Sequence, residues 1–410
     1  MAQQGFRAAS YPWRLHCGSD VIEQSLGDAV SRVGASRAFV ICSPSVNRRT
    51  DTIHRIHSAL GDRFAGVFDG IEKDSSFASV QSATDAANAA GADLLIAVGG
   101  GSVIVAVRAV AIFLGESGSP FDLMTQYPEG KPAYSPRLMA SKLPIINIPT
   151  TPTSAMNRAG TGLKNLDLDH RMEYFDPKTR PQAIFLDDGV LLSTPAELLC
   201  STATTVFASI VGAMSQTNLN PLAEGDRNHA FLLGYRAYLR LPEASNDVAL
   251  RTDLSIAAFV QNRAEDNGRN RFLSTAFSGN YAVSTALHLE FPHVGQGAST
   301  SVVHASAIRL AEDVDPVGAE QVGRAIGVWR DGMSLEQSAQ ATADKLEEIY
   351  AKTGAPTRLR QLGIPQDSLR KIAKLTVKNF NANAGEARAT VTMSTSATIC
   401  IVRLRGKETC

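Results

Sequence analysis

The sequence lacks the features that would mark a disulfide scaffold, a nucleic-acid binder or a membrane protein. Its five cysteines (Cys17, Cys42, Cys200, Cys400, Cys410) are odd in number and scattered, with no CxxC and no Cys/His spacing. That pattern excludes a cysteine-built metal site or a disulfide framework and reads as reduced thiols in a cytoplasmic protein. Neither charge sign is in excess, since 40 Lys plus Arg balance 40 Asp plus Glu. No polyanionic partner is therefore expected. The step at Arg48 and Arg49 is too short to be the basic stripe that nucleic acid requires. Residues 1–10 carry no apolar run of the kind a signal peptide needs. The uncharged stretch from Leu94 to Val107 is too short for a membrane span and is broken by three glycines. The expectation is a soluble, cytoplasmic protein with no nucleic-acid or membrane partner.

What remains is an ordinary globular composition, 44% apolar and 20% charged over 410 residues, a length that favours two domains. Ala38 to Cys42 and Leu94 to Val98 are continuous apolar runs, as strands buried on both faces should be. Trp13 to Cys17, Gly66 to Phe68, Ile145 to Ile148 and Ala183 to Leu186 are shorter strand candidates. Helical segments fall between them: one opened by Gly18-Ser19-Asp20, one carrying Ile53, Ile56 and Leu60, and one from Ser79 to Ala90. This alternation predicts βαβ units and a mostly parallel sheet. From about residue 190 to 375 the periodicity turns helical. Thr194-Pro195-Ala196-Glu197 reads as a helix start, with Thr as N-cap, Pro at N1 and Glu closing a capping box. Arg388 to Arg403, rich in Thr, Val and Ile, predicts a strand or hairpin. The predicted architecture is an α/β domain with a mostly parallel sheet over residues 1–188, then an all-α domain over 189–410.

The chemistry concentrates at the end of the Leu94 strand, where Gly99-Gly100-Gly101-Ser102 leads into a helix. Glycine lets backbone amides approach a ligand without a Cβ in the way. The helix directs unpaired N–H groups and its positive dipole end back at the turn. This is an anion site suited to a pyrophosphate. A second strand ends in Pro149-Thr150-Thr151, with Thr153 and Ser154 beyond, and sets hydroxyls at a strand's carboxyl end, where α/β sheets bind ligands.

These two motifs, in this order, resemble those of the iron-containing alcohol dehydrogenase superfamily, which also holds dehydroquinate-synthase-like enzymes. The resemblance runs from the Gly18 helix start to about Phe380. It includes Val98 to Ile104, Ile148 to Thr151, the register of Arg171, Pro177, Pro181 and Asp187, the helix start at Thr194 to Leu198, and Gly363-Ile364-Pro365. It implies a dinucleotide-binding α/β domain, an all-helical domain and an active site in the cleft between them. Ile41-Cys42-Ser43-Pro44 looks closest to the maleylacetate reductase type. Ser43 stands where an acidic residue would bind the adenosine ribose and repel a 2′-phosphate, so NADP and NAD are both admitted. The implied cofactor contacts are Ser43, Gly99, Gly100, Gly101, Ser102, Thr150, Thr151, Ser154 and Arg171.

The departures from the family pattern bear on the reaction. The glycine-turn helix carries Val105 and Arg108 where Asp and Lys are usual, and the family's loop after the threonines becomes Pro152 to Asn157. The metal-ligand Asp and His, one turn apart on the first helix of the second domain, are matched by Thr205 and Ser209, and the next Glu by Gly212. Neutral hydroxyls are poor substitutes at a divalent-metal site. His288 and His293 are the candidates for the family's histidines, in either of two registers. No tightly bound metal is expected. The resemblance then implies a metal-independent NAD(P)H-dependent reductase or dehydrogenase of a small carbonyl or alcohol. In it His288 or His293 is the general acid, and Thr205 and Ser209 line the substrate cleft. The alternatives are a non-redox or inactive dinucleotide-binding homologue and a dehydroquinate-synthase-like cyclase. Arg158, Lys164, Arg171 and Arg271 are candidates for meeting a substrate carboxylate, and an exposed sheet edge leaves a homodimer open.

Overall fold

The computed structural model describes residues 5–9, 11–128, 131–268, 277, 281–310, 315–376 and 378–379, with the backbone alone of 388–393 and 400–405. Arg271 lies outside them. The chain divides into two compact units, one of Tyr11–Pro195 and one containing Ala196–Cys410.

The strands of the first unit are β1 (Arg14–Gly18), β2 (Ala38–Cys42), β3 (Phe64–Phe68), β4 (Leu94–Gly99), β5 (Ile145–Pro149), β6 (Gly160–Leu163), β7 (Met172–Phe175) and β8 (Ala183–Asp187). Its helices are α1 (Val21–Arg32), α2 (Pro44–Arg49), α3 (Thr52–Leu60), α4 (Phe77–Ala89), α5 (Gly101–Gly115), α6 (Pro120–Leu123) and α7 (Asp188–Leu192). Six strands form one sheet in the order β1-β8-β5-β4-β2-β3, every pair parallel. The inner strands β2, β4, β5 and β8 are buried at every residue. Their side chains divide between two cores. Leu94, Ile96 and Val98 pack with Ile22, Leu26 and Ile56, while Leu95 and Ala97 pack with Val80, Ile104 and Val107. Helices thus cover both faces, which is why these strands read as continuous apolar runs rather than as alternation. Asp187, fully buried at the end of β8, accepts both terminal nitrogens of Arg55 at 2.9 Å and the amide of Val190 at 3.2 Å.

The second unit holds α8 (Ala196–Ala213), α9 (Pro221–Arg240), α10 (Val248–Asp266), α11 (Tyr281–Glu290), α12 (Gln296–Arg309), α13 (Pro316–Ala325), α14 (Leu335–Lys352) and α15 (Leu369–Thr376). The strand-prone C-terminal stretch is an antiparallel pair, β9 (Arg388–Met393) and β10 (Cys400–Arg405). Among the described residues one helix, α8, is long and apolar enough to cross a bilayer by length and composition, and more than half of it is buried inside the structure. Leu199, Phe207 and Val211 of α8 join Tyr238, Leu254 and Tyr350 in the core of this unit.

Two local features depend on tertiary structure. The Thr194 hydroxyl, two residues before α8, donates to the carbonyl of Thr150 at 2.6 Å. The hairpin β6–β7 pairs two four-residue strands that carry no strand signal of their own.

Candidate functional site

Three turns meet at the carboxyl edge of the sheet because the strands before them are neighbours in register. Cys42 of β2 pairs with Val98 of β4, and Gly99 pairs with Pro149 of β5. Ser43, the glycine turn and Thr150-Thr151 therefore follow adjacent strands, spaced about 4.8 Å apart. The chain reverses its direction of travel across the sheet between β2 and β4, the switch point where open α/β sheets take their ligands.

The glycines are needed for close packing. A Cβ on Gly99 would lie 2.6 Å from Val103 Cγ2, one on Gly100 3.2 Å from Thr151 Oγ1, and one on Gly101 3.1 Å from Thr153 Oγ1. Gly100 is the N-cap of α5 and no side chain caps it, so the helix N-terminus faces the threonine loop with its amide donors available. Thr151 Oγ1 is fully buried and has no hydrogen-bond partner. An orphaned hydroxyl beside an uncapped helix start, with a cradle that a methyl group would fill, fits the phosphate end of a dinucleotide. The hydroxyl facing Gly101 is that of Thr153, while Ser154 sits one residue further along the turn.

A loop that sequence reading missed braces the turn from the other side. Asp74 and Ser75 both have left-handed backbone, with φ of 62° and 55°. The Asp74 amide donates to Ser102 Oγ at 3.1 Å, and Ser75 Oγ donates to the Ser102 carbonyl at 2.6 Å. Arg171 reaches Asp74 at 3.9 Å and the Gly162 carbonyl at 3.5 Å, so it joins the glycine turn through that loop. The only local signal was the polar run Asp74-Ser75-Ser76 ahead of α4, where Ser76 caps the helix by accepting from the Ser79 amide.

Ser43 is the N-cap of α2, its hydroxyl 3.0 Å from that of Ser45. Asp69, just after β3, accepts from Asn47 Nδ2 at 3.1 Å and lies 3.9 Å from Arg48 Nε. Burial, with Asp69 adding to it, pushes the Cys42 thiol up to about 12. Cys17, Cys42 and Cys200 are free cysteines.

In the helical unit, Thr205 and Ser209 lie one turn apart on α8, hence on one face. Thr205 Oγ1 donates to the Thr202 carbonyl at 2.7 Å, and Ser209 Oγ accepts from Gln261 Nε2. Both hydroxyls are engaged with protein, and the amide donor on Ser209 opposes a cation there. This donor set does not fit an iron or zinc ion. Among the described residues, no group of three or more His, Cys, Asp or Glu is placed to hold a metal.

The two candidate histidines have different surroundings. His288 is buried on α11, with Nδ1 3.0 Å from the Ser284 carbonyl. His293 is exposed between α11 and α12, its Nε2 3.0 Å from the Leu362 carbonyl. Ser284 meets the hydroxyls of Ser299 and Thr300 on α12 at 2.8 and 3.1 Å. A Cβ on Gly297 would lie 2.1 Å from the Ser201 carbonyl. The first turn of α12 thus packs against α8 on one side and the helix of His288 on the other. His304 is structural: fully buried, it bonds Tyr350 Oη and the Phe277 carbonyl, each at 2.6 Å.

Residues 12–188 match the family described as iron-containing alcohol dehydrogenase, and residues 206–393 match its C-terminal part. Maleylacetate reductase 2 of Cupriavidus pinatubonensis is 30% identical over 217 residues, about half of either chain (53% of this one, 51% of that one). Long-chain-alcohol dehydrogenase 1 of Geobacillus thermodenitrificans is 22% identical over 89% of this chain and 88% of its own. The crystal structure of NADH-dependent butanol dehydrogenase A from Thermotoga maritima superposes with a TM-score of 0.80 at 17% identity, covering 93% and 92% of the two chains.

Proposed function

The chain belongs to the iron-containing alcohol dehydrogenase family and is an NAD(P)-dependent oxidoreductase, and from that premise we propose that it interconverts a small carbonyl compound and its alcohol without a tightly bound metal. The observation that carries this reading is the state of Thr205 and Ser209, neutral hydroxyls already bonded to Thr202 and Gln261.

The glycine turn and the Thr151 and Thr153 hydroxyls hold the pyrophosphate, and Arg171 steadies the loop of Asp74 and Ser75 behind them. When bound, the nicotinamide supplies or accepts the hydride at its C4. The protein must stabilise the charge that develops on the substrate oxygen, and without a Lewis acid this falls to hydrogen-bond donors. An imidazole can donate a proton to that oxygen and take it back, so His288 is the general acid in reduction and the base in oxidation. Burial keeps bulk water from competing for its proton.

The test combines NADH and NADPH titration with metal analysis and turnover of short aldehydes in the presence of a chelator. We expect saturable dinucleotide binding, turnover, and activity within about twofold of untreated protein. A stoichiometric divalent cation whose removal abolishes turnover would overturn the metal-independent reading. Dinucleotide binding without turnover of any aldehyde or alcohol would favour a non-redox homologue.

A further inference from the structure

Arg108, in the second turn of α5, is with Arg251 the largest fully buried side chain of the described residues, at 1% exposure. Its Nη1 donates to the Gly160 carbonyl at 2.5 Å, while Nε and Nη2 have no partner. Those two nitrogens share one edge of the guanidinium, the edge that grips a carboxylate or phosphate side-on with two parallel hydrogen bonds. Among the described residues no carboxylate lies within ion-pair distance of it, and its charged neighbours are Arg158 and Arg180. Burial first, then those two cations, pushes the Arg108 guanidinium down to about 9. Arg180 is oriented by the Asn157 carbonyl, 3.0 Å from Nη1, and by the Tyr11 ring, 3.9 Å below its guanidinium carbon.

An uncompensated buried cation costs several kcal/mol. We propose that Arg108, flanked by Arg158 and Arg180, is the floor of an oxyanion-binding site beneath the loop between β5 and β6, and that it takes a carboxylate. The Gly160 bond fixes the plane of the fork, and the outer arginines, both half-buried, attract the anion toward it. The loop leaves the carboxyl end of β5, on the same edge as the glycine turn, and Arg108 stands about 10 Å along α5 from that turn. The anion site does not depend on hydride transfer. Only its assignment to the substrate rests on the function proposed above.

Calorimetric titration of the purified protein with succinate and with sulfate tests the site without turnover. The wild-type protein should bind both saturably, Arg108→Met should lose at least tenfold in affinity, and Arg108→Lys should fall between them. NADH affinity should stay within about twofold of wild type. If succinate and NADH bind together, the carboxylate belongs to the substrate; mutual exclusion would assign the same fork to a cofactor phosphate. No saturable anion binding by the wild type, or equal binding by Arg108→Met, overturns the proposal. Should Arg108→Met fail to fold, Arg108→Lys decides, because lysine keeps the charge and a donor for Gly160 but not the two-pronged edge.

Discussion

Gly101→Ala separates the cofactor role of the glycine turn from its role in the fold. Gly101 has no positive φ, so alanine is conformationally admissible, and within a helix it is favoured over glycine by up to about 1 kcal/mol. Against this, the new methyl would lie 3.1 Å from Thr153 Oγ1, which accepts from the Ala155 amide at 3.1 Å. Displacing that hydroxyl costs about 1 kcal/mol for the hydrogen bond. The two effects nearly cancel, so unfolding free energy should move by no more than about 1 kcal/mol in either direction. Cofactor binding has no such compensation, because the methyl occupies the cradle between the helix start and the threonine loop. Losing one charge-assisted bond to phosphate, about 1.5–3 kcal/mol, corresponds to roughly ten- to hundredfold weaker NADH binding. Urea denaturation paired with NADH fluorescence titration reads both quantities. A folded Gly101→Ala protein that binds NADH as wild type does would refute the pyrophosphate assignment. Gly99→Ala is the contrasting control. Its Cβ meets Val103 Cγ2 at 2.6 Å and Val103 Cβ at 2.9 Å, an overpacking that costs about 1–3 kcal/mol of stability.

Three further expectations follow from single residues. His288→Gln should lower kcat about a hundredfold or more while His293→Ala, which loses only its bond to the Leu362 carbonyl, leaves it nearly unchanged; steady-state kinetics showing the reverse would exchange their roles. His304 is pushed down from 6.5 to about 4 by burial, with the Phe277 hydrogen bond acting against the shift. The neutral ring donates from Nε2 to that carbonyl and accepts the Tyr350 hydroxyl at Nδ1. The unfolded chain therefore binds the extra proton between these values, and stability is full above pH 6.5 and falls by about 3 kcal/mol as pH drops toward 4. His304→Gln should flatten that limb in pH-dependent denaturation, and an unchanged slope would reject the assignment. Asp69→Asn should shift preference toward NADPH by several-fold, since it removes a carboxylate that repels a 2′-phosphate and frees Arg48; an unchanged NADH-to-NADPH affinity ratio would place the ribose elsewhere.

The sheet was legible because each inner strand is buried on both faces, which forces a continuous apolar run at Ala38–Cys42 and Leu94–Gly99. The glycine turn was legible because its geometry is local: a strand, three residues without a Cβ, and a helix start. The hairpin β6–β7 was not, since its Gly-Thr-Gly-Leu strand alternates between half-buried and buried residues and owes its pairing to Met172–Phe175. Asp69 and the Asp74-Ser75 loop were equally invisible. Each acts on a residue distant in sequence, Arg48 or Ser102, through a contact that only the packed sheet creates. Ser43 opens α2, and the carboxylate bonded to that helix, Asp69 after β3, is brought there by the packing of the sheet and marked by no motif.

A backbone anion site asks for small residues and a helix end, whereas a metal site asks for particular side chains. On the metal-independent reading proposed above, a hydrogen-bond donor takes the place of the cation, and it is a weaker electrophile than a divalent cation. On that reading the missing polarisation has to be recovered as positioning, and binding energy from a remote part of the substrate is the usual source. A carboxylate held in the two-pronged edge of Arg108 would supply it, because its grip fixes direction as well as distance. The consequence is specific. If the fork serves catalysis, a neutral aldehyde matched in length to an acidic one should suffer in kcat as well as KM, and Arg108→Lys should erase most of the difference between the two. If the fork only tethers, the neutral aldehyde at saturation should turn over as fast as the acidic one, and the compensation must lie elsewhere.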